Sequence, residues 1–204
     1  MNRLFVEKLP EFNAEARELL HDLRSNLALS GLTGVRVIQR YDVDGLSGED
    51  FATASKLILA EPQVDTVGSE LSLGADEQAF AVEYLPGQFD QRADSAAQCV
   101  QILTGGQRPL IASAHVIVLQ GSLSDADLER IKEYVINKVD SREASMEVPD
   151  TLEQPVTDPA DVASLSGFQS MDEEELTSMR GNLGLAMSLA DLEFCQRYFR
   201  DEEG

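Results

Sequence analysis

Apolar positions change period several times along this chain, and each change marks an element. Leu4 to Leu9 and Ala79 to Leu85 are short β-prone runs that end against prolines, which predicts two strands. Leu19, Leu20, Leu23 and Leu27 then recur at helical spacing, and Ala96, Cys99, Val100 and Leu103 do the same after the second run. Val35 to Val43 and Ile111 to Gln120 are rich in β-branched residues and read as further strands. Ser47 with Asp50, and Ser124 with Asp127, have the spacing of a helix N-cap and its third residue. Leu46 with Phe51, and Leu123 with Leu128, occupy the two positions of a hydrophobic staple around those caps. Aspartate is shorter than the usual glutamate, so the return bond of each capping box is the weaker half of the expectation.

These elements come in a repeated order. Val6-Glu7-Lys8-Leu9-Pro10 recurs as Val82-Glu83-Tyr84-Leu85-Pro86, 76 residues on, each followed by a Phe (Phe12, Phe89). Val35-Arg36-Val37-Ile38 is answered by Val116-Ile117-Val118-Leu119. The Leu46 to Phe51 run returns 77 residues later, and Val64-Asp65 returns as Val139-Asp140 after 75. An ordered series of this kind indicates internal duplication. The expected fold is α+β: two tandem ferredoxin-like (split βαβ) repeats, about 3–67 and 79–142, related by a pseudo-twofold as a dimer fused into one domain over 1–145. One unit alone leaves sheet uncovered; two can cover each other.

The pattern then breaks. From Ser141 to Gly167 prolines 149, 155 and 159 separate short apolar pairs, which predicts an extended linker. Residues 146–204 are expected to form this linker and a small helical domain. Ser170 to Glu173 reads as a capping box before Leu176, Met179 and Leu183, with Gly184 as the stop. Ser188 and Asp191 open a further helix with Leu192, Cys195 and Phe199 on one side.

Composition narrows the partners. Hydrophobic residues make up 43% of the 204, enough for a core, and 37 acidic against 16 basic residues give a net charge of −21. Such a surface repels phosphodiester backbones and anionic lipid, so neither nucleic acid nor membrane is an expected partner; solubility alone also accounts for the charge. No signal peptide and no apolar run of about 20 residues is present, which predicts a cytoplasmic protein. Cys99 and Cys195, both in helical patterns, are expected to be buried, reduced core fillers.

The residues suggest little chemistry. His21, mid-helix, and His115, at the start of a strand, stand near no nucleophile. Asp42-Val43-Asp44-Gly45 resembles the start of a calcium loop, but Thr53 stands where the closing glutamate belongs, and a turn into a capped helix explains the segment. Gly105-Gly106 follows a helix and reads as its C-cap rather than a phosphate loop. No catalytic, metal or cofactor-binding residue is therefore expected. The densest polar motif is Leu85-Pro86-Gly87-Gln88-Phe89-Asp90-Gln91-Arg92, with Asp90 as a helix N-cap. Capping does not explain Gln88, Gln91 and Arg92, which are candidates for an interdomain contact through an anion or a partner carboxylate.

At this motif a family resemblance enters. Tyr84 to Gln101 (YLPGQFDQRADSAAQCVQ) resembles the N-terminal region of large single-chain phosphoribosylformylglycinamidine synthases. So do FVEKLPEF (5–12), GLTGVRVIQRYDVDG (31–45), EPQVD (61–65) and YVINKVDSREAS (134–145). LGLAMSLADLEFCQRYFR (183–200) is similar to the end of that family's linker domain, so the similarity spans essentially the whole chain, in order. The resemblance implies a domain built like a fused dimer of the small structural subunit of the multi-subunit enzymes. The full enzyme of that family uses ATP, magnesium and glutamine to convert formylglycinamide ribonucleotide to its amidine. Its ATP-binding and glutaminase segments have no counterpart in these 204 residues, so no catalytic residue carries over. The resemblance thus implies a scaffold and linker, without a cofactor of its own, partnered by the synthase and glutaminase domains of the same longer chain. The competing expectations are a stand-alone ferredoxin-like module that binds a small molecule or a protein, and, with the least support, an independent small enzyme.

Overall fold

A computed structural model of the chain describes residues 1–153 and 161–201. They divide into two compact units, Met1–Gln154 and Pro155–Gly204. The first unit is a mixed α+β fold around a six-stranded antiparallel sheet. Its elements are β1 (Asn2–Lys8), α1 (Ala14–Leu27), β2 (Leu32–Asp44), α2 (Gly48–Leu57), β3 (Asp65–Gly68), β4 (Glu77–Tyr84), α3 (Gln91–Thr104), β5 (Leu110–Gly121), α4 (Asp125–Val135) and β6 (Ser141–Ala144). The strand order is β3-β1-β2-β5-β4-β6.

Alternation along the strands decides where the helices go. Leu4, Val6, Val37, Tyr41, Val43, Phe80, Ile117 and Leu119 point to one face and form two buried clusters with residues of α1 to α4. Leu23 of α1 and Ile131 of α4 are fully buried in the first of these. Phe5, Ile38, Ala81, Val116 and Val118 point to the other face, which no helix of this unit covers, and pack with Leu71 and Ala144. The capped helix starts hold the helical layer in place. Ser47 and Ser124 each accept a hydrogen bond from the backbone N–H three residues on. Ser124 and Asp127 complete the box, whereas Asp50 receives the Ser47 hydroxyl instead of its backbone N–H, so the return bond forms in one copy. Leu46 and Phe51 pack on one cluster, and Leu123 and Leu128 on the other.

Strand register is regular between the halves. Val6 faces Gln39 in β1–β2 and Val67 in β1–β3. Adding 76 to each number gives Val82 facing His115 in β4–β5 and Glu143 in β4–β6, which are the observed pairs. The central β2–β5 pairing places Gln39 opposite His115, its own counterpart under that displacement. The helix contacts follow suit, with α1 beside α4 and α2 beside α3.

Three sequence expectations change here. The match of Val35–Ile38 to Val116–Leu119 is off by five residues, an odd slip that would turn every side chain to the opposite face; by register Val35 corresponds to Ile111. The predicted linker from Ser141 begins instead as strand β6, paired with β4. His115 lies within β5 rather than at its start.

In the second unit a 3₁₀ turn (Phe168–Ser170) precedes α5 (Glu173–Asn182) and α6 (Leu189–Asp201). The capping box is Asp172 with Glu175, two residues beyond the predicted one. Ser188 and Asp191 cap α6 as expected, and Gly184 takes a left-handed φ after α5. Leu176 and Leu192 are buried, but the third interior residue is Gln196, whose amide donates to the Phe168 and Met171 carbonyls. Cys195 is only half-buried and Phe199 is exposed. Part of the predicted linker, including Pro155 and Pro159, falls outside the described residues. No helix among the described residues is long and apolar enough to cross a membrane.

Candidate functional site

The first unit carries a groove of about 1000 Å³ between α1 and α3, floored by β2, β4 and β5. The starts of these two helices are each tied down twice. Asn13 caps α1 by accepting from Ala16 N–H, and its amide donates to the Val37 carbonyl of β2. Asp90 caps α3 by accepting from Ala93 N–H, and its second oxygen accepts from the Ser113 N–H and hydroxyl of β5. Val37 and Ser113 are counterparts under the 76-residue register, so the same side chain position fastens each helix to the same point of its strand.

Polar groups line the groove where these helices begin. His115 Nδ1 on the floor lies 3.5 Å from Glu15 Oε1 on α1. The hydrogen bond from His115 holds the Glu15 carboxyl below its usual range, against the opposing effect of burial, and Arg92 adds a smaller push in the same direction. Arg92 donates to the Tyr41 hydroxyl across 3.4 Å, a long contact, and no carboxylate lies within ion-pairing distance of it among the described residues. Glu18 and Asp22 continue the α1 wall, exposed and likewise without an ion-pair partner among the described residues.

The structure therefore gathers two of the three predicted contact residues. Gln91 and Arg92 line the groove; Gln88 lies in the turn before α3, exposed and outside it. Cys99, expected as a core filler, is exposed and also lines the groove, while Val100 takes the buried place beside it. Glu15, Tyr41 and Ser113 were not singled out by sequence, and His115 was weighed only as a nucleophile's base and set aside. Aligning the two helix caps would have found Glu15, because it occupies in α1 the place that Arg92 holds in α3.

A second polar cluster lies on the opposite face of the sheet. Arg3 Nε and Nη2 pair with the two Asp42 oxygens at 2.6 and 2.9 Å, all nearly inaccessible. Arg40 Nε is 3.3 Å from Asp42 Oδ2 without a hydrogen bond. Burial, reinforced by Arg3, pushes the Arg40 guanidinium below its usual value while Asp42 opposes. The two guanidiniums also donate to three successive carbonyls: Arg40 to Ser145, Arg3 to Met146 and Glu147. Asp42, read from sequence as the end of a strand running into a turn, is thus the buried carboxylate of a clamp on the chain leaving β6. Both guanidiniums are nearly inaccessible and donate to backbone carbonyls of the chain leaving β6, so the cluster holds that chain to the sheet.

Among the described residues no group of three or more His, Cys, Asp or Glu side chains could hold a metal ion. No known protein family matches the chain, and no curated protein matches it.

Proposed function

We propose that this chain is the N-terminal scaffold and linker part of a phosphoribosylformylglycinamidine synthase, the ATP-dependent amidoligase of de novo purine synthesis. On this reading Met1–Gln154 is a pair of ferredoxin-like halves, a fused dimer whose pseudo-twofold passes through the Gln39–His115 pair. The single observation that favours it is the constant 76-residue displacement of strand register, which is what fusion of two copies of one small subunit leaves behind. The sequence resemblance along the whole chain supplies the family. The role that follows is cytoplasmic and structural: to position the synthase domain, which binds ATP and magnesium, and to support the interface through which ammonia passes from the glutaminase.

The test is complementation in trans. The chain is added to a synthase of that family lacking its own N-terminal region, and glutamine-dependent amidine formation is followed. Recovery of activity is expected; activity unchanged by saturating chain overturns the assignment. The groove favours a second reading, a stand-alone binding module, and ligand binding by the chain with no capacity to complement would select it.

A further inference from the structure

The groove is built from corresponding positions of the two halves, yet its charges do not correspond. The displacement that carries the N-cap Asn13 onto Asp90 also carries Glu15 onto Arg92, Glu18 onto Ser95 and Asp22 onto Cys99. All six of those groove positions line the cavity. Shape therefore repeats from wall to wall, whereas the α1 wall bears three carboxylates and the α3 wall bears a guanidinium, a hydroxyl and a thiol. A groove of repeated shape accepts an occupant in two opposite directions; opposed charges select one of them.

We propose that this groove is a docking site for a peptide segment with one basic edge and an apolar face, seated with its basic edge against α1. Three observations choose this occupant. Glu18 and Asp22 are exposed on the α1 wall and have no ion-pair partner among the described residues, in a chain whose basic side chains are outnumbered. Arg92 repels the same basic edge from α3, which fixes the direction. Leu19, Ile58, Val82, Tyr84 and Val135 line the groove and stay partly exposed, and apolar side chains alone can cover them; a polyamine would satisfy the carboxylates and leave this surface wet. The volume, about 1000 Å³, is at the upper end of small-molecule sites and suits several side chains of a peptide. Nucleic acid is repelled by the acidic wall. The inference stands on the groove alone and does not depend on the purine-pathway assignment.

The test uses the whole chain and a fluorescein-labelled amphipathic peptide of leucine and lysine, with a leucine and glutamate peptide as control. Anisotropy should show binding of the lysine peptide only. Glu18→Lys with Asp22→Lys should weaken it about tenfold, as expected for losing two exposed ion pairs and gaining repulsion. Glu70→Lys with Asp76→Lys changes net charge equally, outside the groove, and should leave it unchanged. Alkylation of Cys99 gives a readout on the native chain: the bound peptide should slow it while Cys195, in the other unit, reacts at its original rate. Equal weakening by both double variants, or Cys99 alkylation unaffected by saturating peptide, overturns the proposal.

Discussion

Asp42 shows how much one side chain can carry. It is the carboxylate between Arg3 and Arg40, and all three are nearly inaccessible. Removing it leaves two buried guanidiniums facing each other, so Asp42→Ala should cost about 3–5 kcal/mol, read from urea unfolding. Sequence read Asp42 both within the strand Val35 to Val43 and in the turn that follows, because Asp-x-Asp-Gly is a turn composition. The signal that it faces inward is positional: Arg36, Arg40 and Asp42 alternate along β2 with Val35, Val37, Tyr41 and Val43, and nothing in that alternation tells a solvated face from a covered one. Glu15 gives a second residue-scale expectation. Its hydrogen bond to His115 depresses the folded pKa below the ordinary 4.5. The contribution of the ionised carboxylate is therefore present above the unfolded-state pKa and is lost as pH falls through the lower folded value. A carboxyl NMR titration should find the Glu15 midpoint below 4.5, and His115→Ala should move it upward. A midpoint unchanged by that substitution would remove the pair from the account.

At the scale of elements, helix caps were the most legible feature, because a cap is written within four residues and owes nothing to distant chain. Asp90, Ser47, Ser124 and Ser188 all act as read. Only the third-residue partner differs between copies, and that difference is measurable. Asp127→Ala removes the return bond from the Ser124 backbone N–H, whereas Asp50→Ala removes no backbone bond of its cap; the Asp127 variant should lose more, on the scale of about 1 kcal/mol, in thermal melts of the two variants. Equal losses in the Asp127→Ala and Asp50→Ala variants would mean that the return bond at Asp127 contributes nothing. Strand correspondence was less legible. Val-rich runs resemble one another at many offsets, so the match of β2 to β5 slipped by five residues, and only backbone pairing fixes the true displacement. The third strand of each half is four residues long, too short for periodicity to announce it, which is why β6 read as linker. Gln196 was missed in the second unit for a related reason: its burial is set by two carbonyls it meets across 25 and 28 residues.

At the scale of the molecule, the first unit does not end where its last strand ends. Residues 145–147 contribute no strand, yet their carbonyls are the acceptors for Arg3 and Arg40, more than a hundred residues away in sequence. A chain cut after Ala144 keeps every strand and helix of the sheet domain but strips three carbonyl acceptors from two guanidiniums, leaving Arg40 with no hydrogen bond at all from its buried nitrogens to backbone. A chain cut after Glu153 keeps them. Both retain the two helix-face clusters, so secondary structure by circular dichroism should be alike. The shorter chain should nevertheless unfold at lower urea, by several kcal/mol on the scale of unsatisfied charged donors, each worth about 1–3 kcal/mol or more. The comparison separates a clamp from a passive exit. Matching unfolding midpoints would mean that water replaces the carbonyls without loss, and the arginines would then be held by Asp42 alone; a gap between the midpoints that vanishes in the Asp42→Ala background would show carbonyls and carboxylate acting as one network.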